Sequence, residues 1–328
     1  MTPFSYERAV NIDSAIEAAQ QSGTRLLAGG TNLIDLVKSG AEHPQRLVDL
    51  NRLALADIVE LPDGGVRIGA MARNSDTANH PLIRQRYPLL SQALLAGASP
   101  QLRNRATVGG NLLQRTRCYY FTDPGFAQCN KRVPGSGCGA REGVNRIHAI
   151  LGASESCIAV NPSDMNVALA ALDAAVQVKG PAGRRRIALV DFHRLPGNTP
   201  QLDSVLAPAE LITSVDLPPS PFAEHAHYLK VRDRASYAFA LISVAAAVSL
   251  RDGVVQQARI ALGGVAHKPW RVPAAEALLV GNRLDLESMQ RAADTLLAGA
   301  VALRDNAFKP ELARRAIVRA LQQAGSVA

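Results

Sequence analysis

The sequence has 328 residues, 47% of them hydrophobic and only 20% charged, so it can bury a sizeable core and is not a disordered tail. At roughly 100–200 residues per domain, the length predicts two or three domains. The longest apolar stretches, such as 239–250, fall well short of the ~20 residues that a membrane span needs, and the net charge of +8 makes nucleic acid the first partner to test.

The opening run Met1-Thr2-Pro3-Phe4-Ser5-Tyr6-Glu7 has neither the basic nor the apolar segment of a secretory signal. The chain is therefore expected to be soluble and not exported on a signal of its own. An amphipathic helix is expected over 13–21, ending near Ser22-Gly23. A strand over 24–28 runs through Gly29-Gly30-Thr31-Asn32 into a second helix over 33–38. Further strands are expected at 46–50, 57–61 and 66–71, the last two forming a hairpin around Asp63-Gly64-Gly65. Asn74 reads as the cap of a helical stretch, broken by Pro81 and Pro88, that reaches Leu95.

From Gly97 to about Ser163 the periodicity collapses into a long Gly-, Arg-, Cys- and Pro-rich stretch, which in a packed domain points to function or a bound group. Ser163 then caps an apolar helix over 163–172. Strands follow at 175–179, 187–190 and 211–217, and Arg184-Arg185-Arg186 reads as a solvated hairpin edge. Pro218-Pro219-Ser220-Pro221 marks the domain boundary. Beyond it, 228–232, 240–250 and 255–262 form an antiparallel meander with a turn at Arg251-Asp252-Gly253. Three helices over 273–279, 286–297 and 310–322 close the chain, and no internal repeat is evident.

Two glycine loops carry the first functional signal. Leu27-Ala28-Gly29-Gly30-Thr31-Asn32-Leu33 joins a strand to a helix, where paired glycines let backbone N–H groups approach a phosphate. It is neither a Walker loop nor a G-x-G-x-x-G fingerprint. About eighty positions later Thr107-Val108-Gly109-Gly110-Asn111 repeats the chemistry. Two such loops could grip the two phosphates of a dinucleotide from both sides.

The second signal is the placement of cysteine and charge. Cys118, Cys129, Cys138 and Cys157 are the only cysteines, with ten, eight and eighteen residues between them. Four thiolates without a suitably placed histidine suit a tetrahedral zinc or an iron–sulfur cluster, and the spacing leaves cluster, zinc and disulfides open. Between Arg103 and Arg146, eight Lys or Arg residues face only Asp123 and Glu142, a surplus of six out of the chain's +8. Nucleic-acid grooves interleave aromatics for stacking, but aromatics are 4% of this chain. A positive region serving an anionic cofactor, an anionic cluster or an acidic partner surface fits better than DNA or RNA.

The two loops, the turn Asn161-Pro162-Ser163-Asp164-Met165-Asn166, and Lys230 within Tyr228-Leu229-Lys230-Val231-Arg232 occur in that order. Together they resemble the FAD-binding medium subunits of the xanthine dehydrogenase/aldehyde oxidoreductase family, over essentially the whole chain. The interval from Asn111 to Ser163 is far longer than in most members and contains the cysteines. Through 112–118 and 129–132 it resembles the bacterial periplasmic aldehyde oxidoreductase branch, whose medium subunit carries an additional [4Fe-4S] cluster.

The resemblance implies an α+β chain: a two-subdomain FAD-binding fold of the PCMH/vanillyl-alcohol-oxidase type over 1–221, with an iron–sulfur insertion at about 112–160. A C-terminal domain of the CO dehydrogenase flavoprotein type, a three-stranded antiparallel sheet with helices, would cover 222–328. Leu27, Ala28, Gly29, Gly30, Thr31, Asn32 and Leu33 would wrap the FAD diphosphate, and Thr107, Gly109, Gly110 and Asn111 would complete the grip. Gly97 would lie against the flavin, Asp164 would bond ribityl or ribose hydroxyls, Ile212 would pack on the cofactor and Lys230 would reach the isoalloxazine edge. Cys118, Cys129, Cys138 and Cys157 would hold the [4Fe-4S] cluster.

The implied function is electron output from a heterotrimer. A large molybdopterin subunit would oxidise aldehyde to carboxylic acid, a small [2Fe-2S] subunit would carry electrons to the FAD here, and an external acceptor would take them. No catalytic residue is expected in this chain. The stretch Arg234-Ala235-Ser236-Tyr237-Ala238-Phe239 lacks the acid that nicotinamide-using members often carry after the lysine, so an acceptor other than NAD is expected. The resemblance also implies a periplasmic location by co-export with a signal-bearing partner, the alternative being cytoplasmic. The rival readings are a free-standing FAD oxidase with its own small substrate and a zinc-stapled, flavin-free scaffold.

Overall fold

A computed structural model describes residues 2–326. Three sheets organise the chain. In the first, β1 (Ser5–Arg8), β2 (Thr24–Leu27) and β3 (Arg46–Asp49) run parallel in the order β1–β3–β2. Parallel neighbours need crossover connections, supplied by the helices Ile12–Ala19 and Leu33–Ser39. The first helix is opened by a capping box, in which the Asn11 side chain accepts from Ser14 N while the Ser14 hydroxyl accepts from Asn11 N.

The second sheet comprises β4 (Ile58–Glu60), β5 (Val66–Gly69), β6 (Ala175–Gly180), β7 (Gly183–Ala188) and β8 (Leu211–Leu217), antiparallel in the order β4–β5–β8–β6–β7. The helices Asn74–Asn79, Pro81–Arg86, Pro88–Ala96 and Asp164–Ala171 contribute residues to the core it shares. Asp164–Ala171 is buried on all sides, which is why beyond Asp164 and Asn166 in its first turn its sequence is apolar rather than striped.

In the third sheet, β9 (Ala226–Val231), β10 (Ile242–Arg251) and β11 (Val254–Gly263) form the expected antiparallel meander with β10 central. Asp252 and Gly253 both have positive φ, as a two-residue hairpin turn requires. β10 is apolar on both faces for a structural reason. Ala245 and Ala247 face the core of the first 220 residues, whereas Ile242, Val244, Ala246 and Val248 face the helices Pro273–Ala277, Leu286–Leu296 and Lys309–Ser326. Among the described residues, no helix is long and apolar enough to cross a membrane.

Three local expectations are corrected. Asn74 is the first residue of its helix rather than the cap; Arg73 takes that position without a side-chain bond. The strand expected at 187–190 begins at Gly183, and Leu189–Phe192 is a helical turn. The Arg184–Arg186 run is exposed along β7, which edges the sheet, so apolar alternation could not mark that strand. The exposed β1 was not anticipated at all. The 97–163 stretch contains short helical turns at Pro100–Arg103, Val108–Leu112, Tyr119–Thr122 and Gly139–Glu142 and no strand longer than an isolated bridge.

Candidate functional site

The two glycine loops are in contact. Arg105 Nε donates to Gly29 O (3.2 Å), and a Cβ on Gly29 would collide with the Arg105 carbonyl. Only glycine permits this approach. Gly30 turns the chain at φ +78° into the helix Leu33–Ser39. In the second loop the Thr107 hydroxyl accepts from Gly110 N (3.1 Å), capping Val108–Leu112. Asn32 Oδ1 accepts from Arg115 N (3.0 Å), and Asn111 Oδ1 accepts from the Ser163 hydroxyl (2.8 Å), so both loop asparagines brace neighbouring segments.

Two cavities meet at these loops. One, of about 230 Å³, is lined by Ala28, Gly29, Gly30, Leu33, Thr107, Gly109 and Ile212. The other, of about 570 Å³, is lined by Gly97, Asn111, Asp164 and Lys230. Thr31, Asn32 and Gly110 line both, which makes one elongated groove. Every residue expected at the cofactor borders it except Leu27, which ends β2 beneath the loop. Asn32 Nδ2 and Asn74 Oδ1 are buried on its walls without partners. An extended cofactor with amide- and hydroxyl-bonding groups would satisfy them, so the groove fits FAD.

At the far end Asp164 is committed on both oxygens. Tyr228 Oη donates to Oδ1 and Lys230 Nζ donates to Oδ2, each at 2.7 Å. Lys230 also donates to Ala96 O (3.1 Å). Burial pushes the Tyr228 hydroxyl well above its usual range, so it serves as a neutral donor. Arg117 lines the same cavity with its guanidinium over Phe239 (5.1 Å from the ring centroid) and its Nε unpartnered. Asp233, three positions beyond Lys230, is also on the wall and pairs with Arg146 of the insertion (2.7 Å). Neither Arg117 nor Asp233 stood out in the sequence as a groove residue.

The four cysteines gather although the sequence spreads them over forty positions. Cys118, Cys129 and Cys157 are buried in one small apolar cluster with Phe121, Ala140 and Ile158, and Cys138 packs against it. Cys129 and Cys138 pair backbone to backbone in an antiparallel bridge, and all four are free thiols. Burial pushes the Cys118 thiol up to about 12 and Cys157 up to about 11, each further raised by neighbouring cysteines of the group. Among the described residues, no three His, Cys, Asp or Glu side chains converge on a point that could hold a metal ion. Four thiols around one small apolar pocket are a donor set that both zinc and an iron–sulfur cluster accept. Cys118 and His148 also line the larger cavity, which places the cysteine site on the groove wall.

Most of the basic residues of the 103–146 region are engaged by acids or carbonyls of this chain, some buried and some at the surface. Arg115 pairs with Glu42 and with Asp203 (2.8 Å), Arg141 with Glu155 (3.0 Å) and Arg146 with Asp233. Lys131, buried at 3% exposure, donates to Asp203 Oδ1 (2.5 Å), Pro200 O (2.6 Å) and His267 Nε2 (2.7 Å). His267 Nδ1 faces Arg194 O (2.7 Å), so the proton sits on Nδ1 and Nε2 accepts from the lysine. Burial would raise the Asp203 carboxyl, but Lys131 and Arg115 hold it down to about 2. Arg103, Arg105 and Arg132 donate to backbone carbonyls. Among the described residues of this region, Arg117 alone faces the groove without a bonded partner.

A groove gripped by backbone at one end and closed by polar side chains at the other is the architecture of a flavoprotein that holds an extended dinucleotide. Residues 2–220 match the family described as the FAD binding domain in molybdopterin dehydrogenase, and residues 227–324 match the CO dehydrogenase flavoprotein C-terminal domain. The chain belongs to this FAD-binding subunit family of molybdopterin dehydrogenases. It is 51% identical over 327 residues to the aldehyde oxidoreductase FAD-binding subunit PaoB of Escherichia coli (strain K12), covering 99% of each chain. It is 27% identical to the glyceraldehyde dehydrogenase medium chain of Sulfolobus acidocaldarius, covering 86% of this chain and 83% of that one. Among solved structures it superposes on the carbon monoxide dehydrogenase of Hydrogenophaga pseudoflava with a TM-score of 0.76 at 27% identity, covering 99% and 98%. It superposes on Cu,Mo-CO dehydrogenase with a TM-score of 0.78 at 24% identity over the whole of both chains. The protein is thus an oxidoreductase subunit that binds FAD, and its relatives are medium chains or FAD subunits of multisubunit enzymes.

Proposed function

We propose that this chain is the electron-collecting subunit of a heterotrimeric, molybdenum-dependent aldehyde oxidoreductase. A large molybdopterin subunit converts aldehyde and water to carboxylic acid, and a small [2Fe-2S] subunit delivers electrons one at a time. The flavin held here supplies the ability to gather single electrons into pairs for an external acceptor. The observation that carries the reading is full-length similarity, at 51% identity, to an aldehyde oxidoreductase FAD-binding subunit, joined to a groove whose two glycine loops touch.

Within that reading the residues divide the work. Residues 27–33 with Thr107, Gly109, Gly110 and Asn111 hold the diphosphate through backbone amides, and Ile212 packs beside it. Gly97, Asp164 and Lys230 form the flavin end, where the Lys230 ammonium favours negative charge on a reduced ring. Cys118, Cys129, Cys138 and Cys157 hold a [4Fe-4S] cluster. The acceptor is not nicotinamide; the one acid close after Lys230, Asp233, is engaged by Arg146 of the insertion. Residues 1–221 and 222–328 act as the FAD-binding and C-terminal domains. The assembled complex is exported to the periplasm on a partner's signal, which fractionation of cells checks directly.

The test is anaerobic addition of aldehyde to the purified complex. Bleaching of the flavin absorption that requires the molybdenum subunit supports the assignment. Turnover of a small substrate by this chain alone would establish the free-standing oxidase instead, and a colourless chain containing zinc would establish the scaffold.

A further inference from the structure

His148 sits where the cysteine site, the flavin groove and the C-terminal helix meet. Its Nε2 lies 3.1 Å from Cys118 Sγ, and the ring is 1% exposed. The backbone carbonyl of His148 accepts from Lys309 Nζ (2.8 Å) and from Asn306 Nδ2 (3.3 Å). Lys309 is itself fully buried and bonds only His148 O and Gly264 O (2.5 Å). The helix Lys309–Ser326 and the loop before it therefore hold the 148 position from a part of the chain more than 150 residues away.

The ring's second nitrogen decides which way the short contact runs. His148 Nδ1 is buried with no partner. A proton there would be a buried donor with nothing to accept it, which costs more than an unpaired acceptor lone pair. The single proton is thus placed on Nε2, pointing at Cys118 Sγ. A thiolate bound to iron has no proton to give and can only accept, so the contact becomes an N–H···S bond when the cluster is present.

We infer that His148 is a positioning residue for the iron–sulfur cluster: its Nε2–H donates to the Cys118 sulfur and raises the cluster's reduction potential. This rests on the proposed [4Fe-4S] reading of the cysteine site. Hydrogen bonds to cluster sulfurs stabilise the more negative, reduced form. The geometry makes the effect one-sided: His148 and Cys118 are the two that line the flavin groove, so the donor lies on the cluster's flavin side.

The experiment compares His148→Leu and His148→Gln with the parent in the intact complex. Iron, flavin and the cluster's midpoint potential are measured, the last by EPR-monitored titration. His148→Leu should keep four iron atoms in this chain, as a [4Fe-4S] cluster requires, and make the cluster harder to reduce by about tenfold, equivalent to about 59 mV for one electron. His148→Gln, which keeps a donor near the Nε2 position, should restore the parent value. If the Leu variant cannot hold the cluster, restoration of iron by Gln supports the same bond, and loss in both variants overturns it in favour of packing alone. A cluster not reduced in the accessible range is read instead from its Fe–S stretching bands in H2O and D2O, where the parent and Gln should shift and Leu should not. A Leu variant with full iron and an unchanged potential or unchanged bands overturns the inference. A parent complex lacking these iron atoms would overturn the cluster reading itself, a separate outcome.

Discussion

The flavin groove and the cysteine insertion are adjacent sites built on opposite principles. The groove is made of backbone: glycines touching across two loops, a threonine cap, and asparagines that brace neighbouring turns. Its shape is set by contacts within the chain, and a few polar atoms on its walls are unpartnered. The insertion is made of side chains. Its cations are drawn onto acids from elsewhere in the chain, and its thiols are buried in a dry pocket that opposes their ionisation. A metal bound there, as proposed, would have to displace the thiol protons. One site is shaped by backbone, and the other by the side chains it gathers.

That contrast can be broken at its strongest points. Gly29→Val would drive a branched side chain into the Arg105 carbonyl and force the two loops apart. It should abolish flavin binding while leaving the iron content intact, checked by flavin and iron per chain; loss of both together would mean the sites are not separable. Lys131→Ala removes one member of a buried ion pair and leaves Asp203 and His267 without it. Because Arg115 still pairs with Asp203, the expected cost is about 1–3 kcal/mol of stability, with iron lost before flavin, measured by denaturant titration with both chromophores followed.

A further effect comes from pH. Burial lowers His193 and His267 to about 4 each. The unfolded chain takes up protons at these positions below about pH 6.5, and the folded one does not until about 4. Stability therefore falls as pH drops across that window, by up to about 3 kcal/mol per histidine. Asp203, with its depressed pKa, contributes above the unfolded carboxyl range and loses that contribution only on approach to about pH 2, so it does not mask the histidines. The melting temperature should decline steadily from pH 6.5 to 4; a flat profile would show that neither histidine is held neutral by the fold.

The two regions also differed in how much of them could be read from sequence. The glycine loops and the cysteines were visible as residue types, because Gly-Gly at a strand end and four clustered thiols have few other uses. β8 and the meander were legible because an apolar strand carries its own pattern. The anchors of the insertion were not. Lys131 finds Asp203 and His267 at separations of 72 and 136 residues, and no local pattern marks a lysine that will be buried. Counting charge along the segment gives its surplus, but only pairing in space shows which acids and carbonyls each cation meets. His148 carries no local mark for the same reason: its environment comes from Lys309 and Asn306, far along the chain.

The central proposal is that this chain holds a flavin and an iron–sulfur cluster in neighbouring but independently built sites. Replacing Cys129 with Ser in the intact complex, followed by iron analysis and a visible spectrum against the parent, tests it most directly. The account predicts a loss of about four iron atoms per complex with one flavin retained. An unchanged iron content, or a variant that loses its flavin along with the iron, would contradict it.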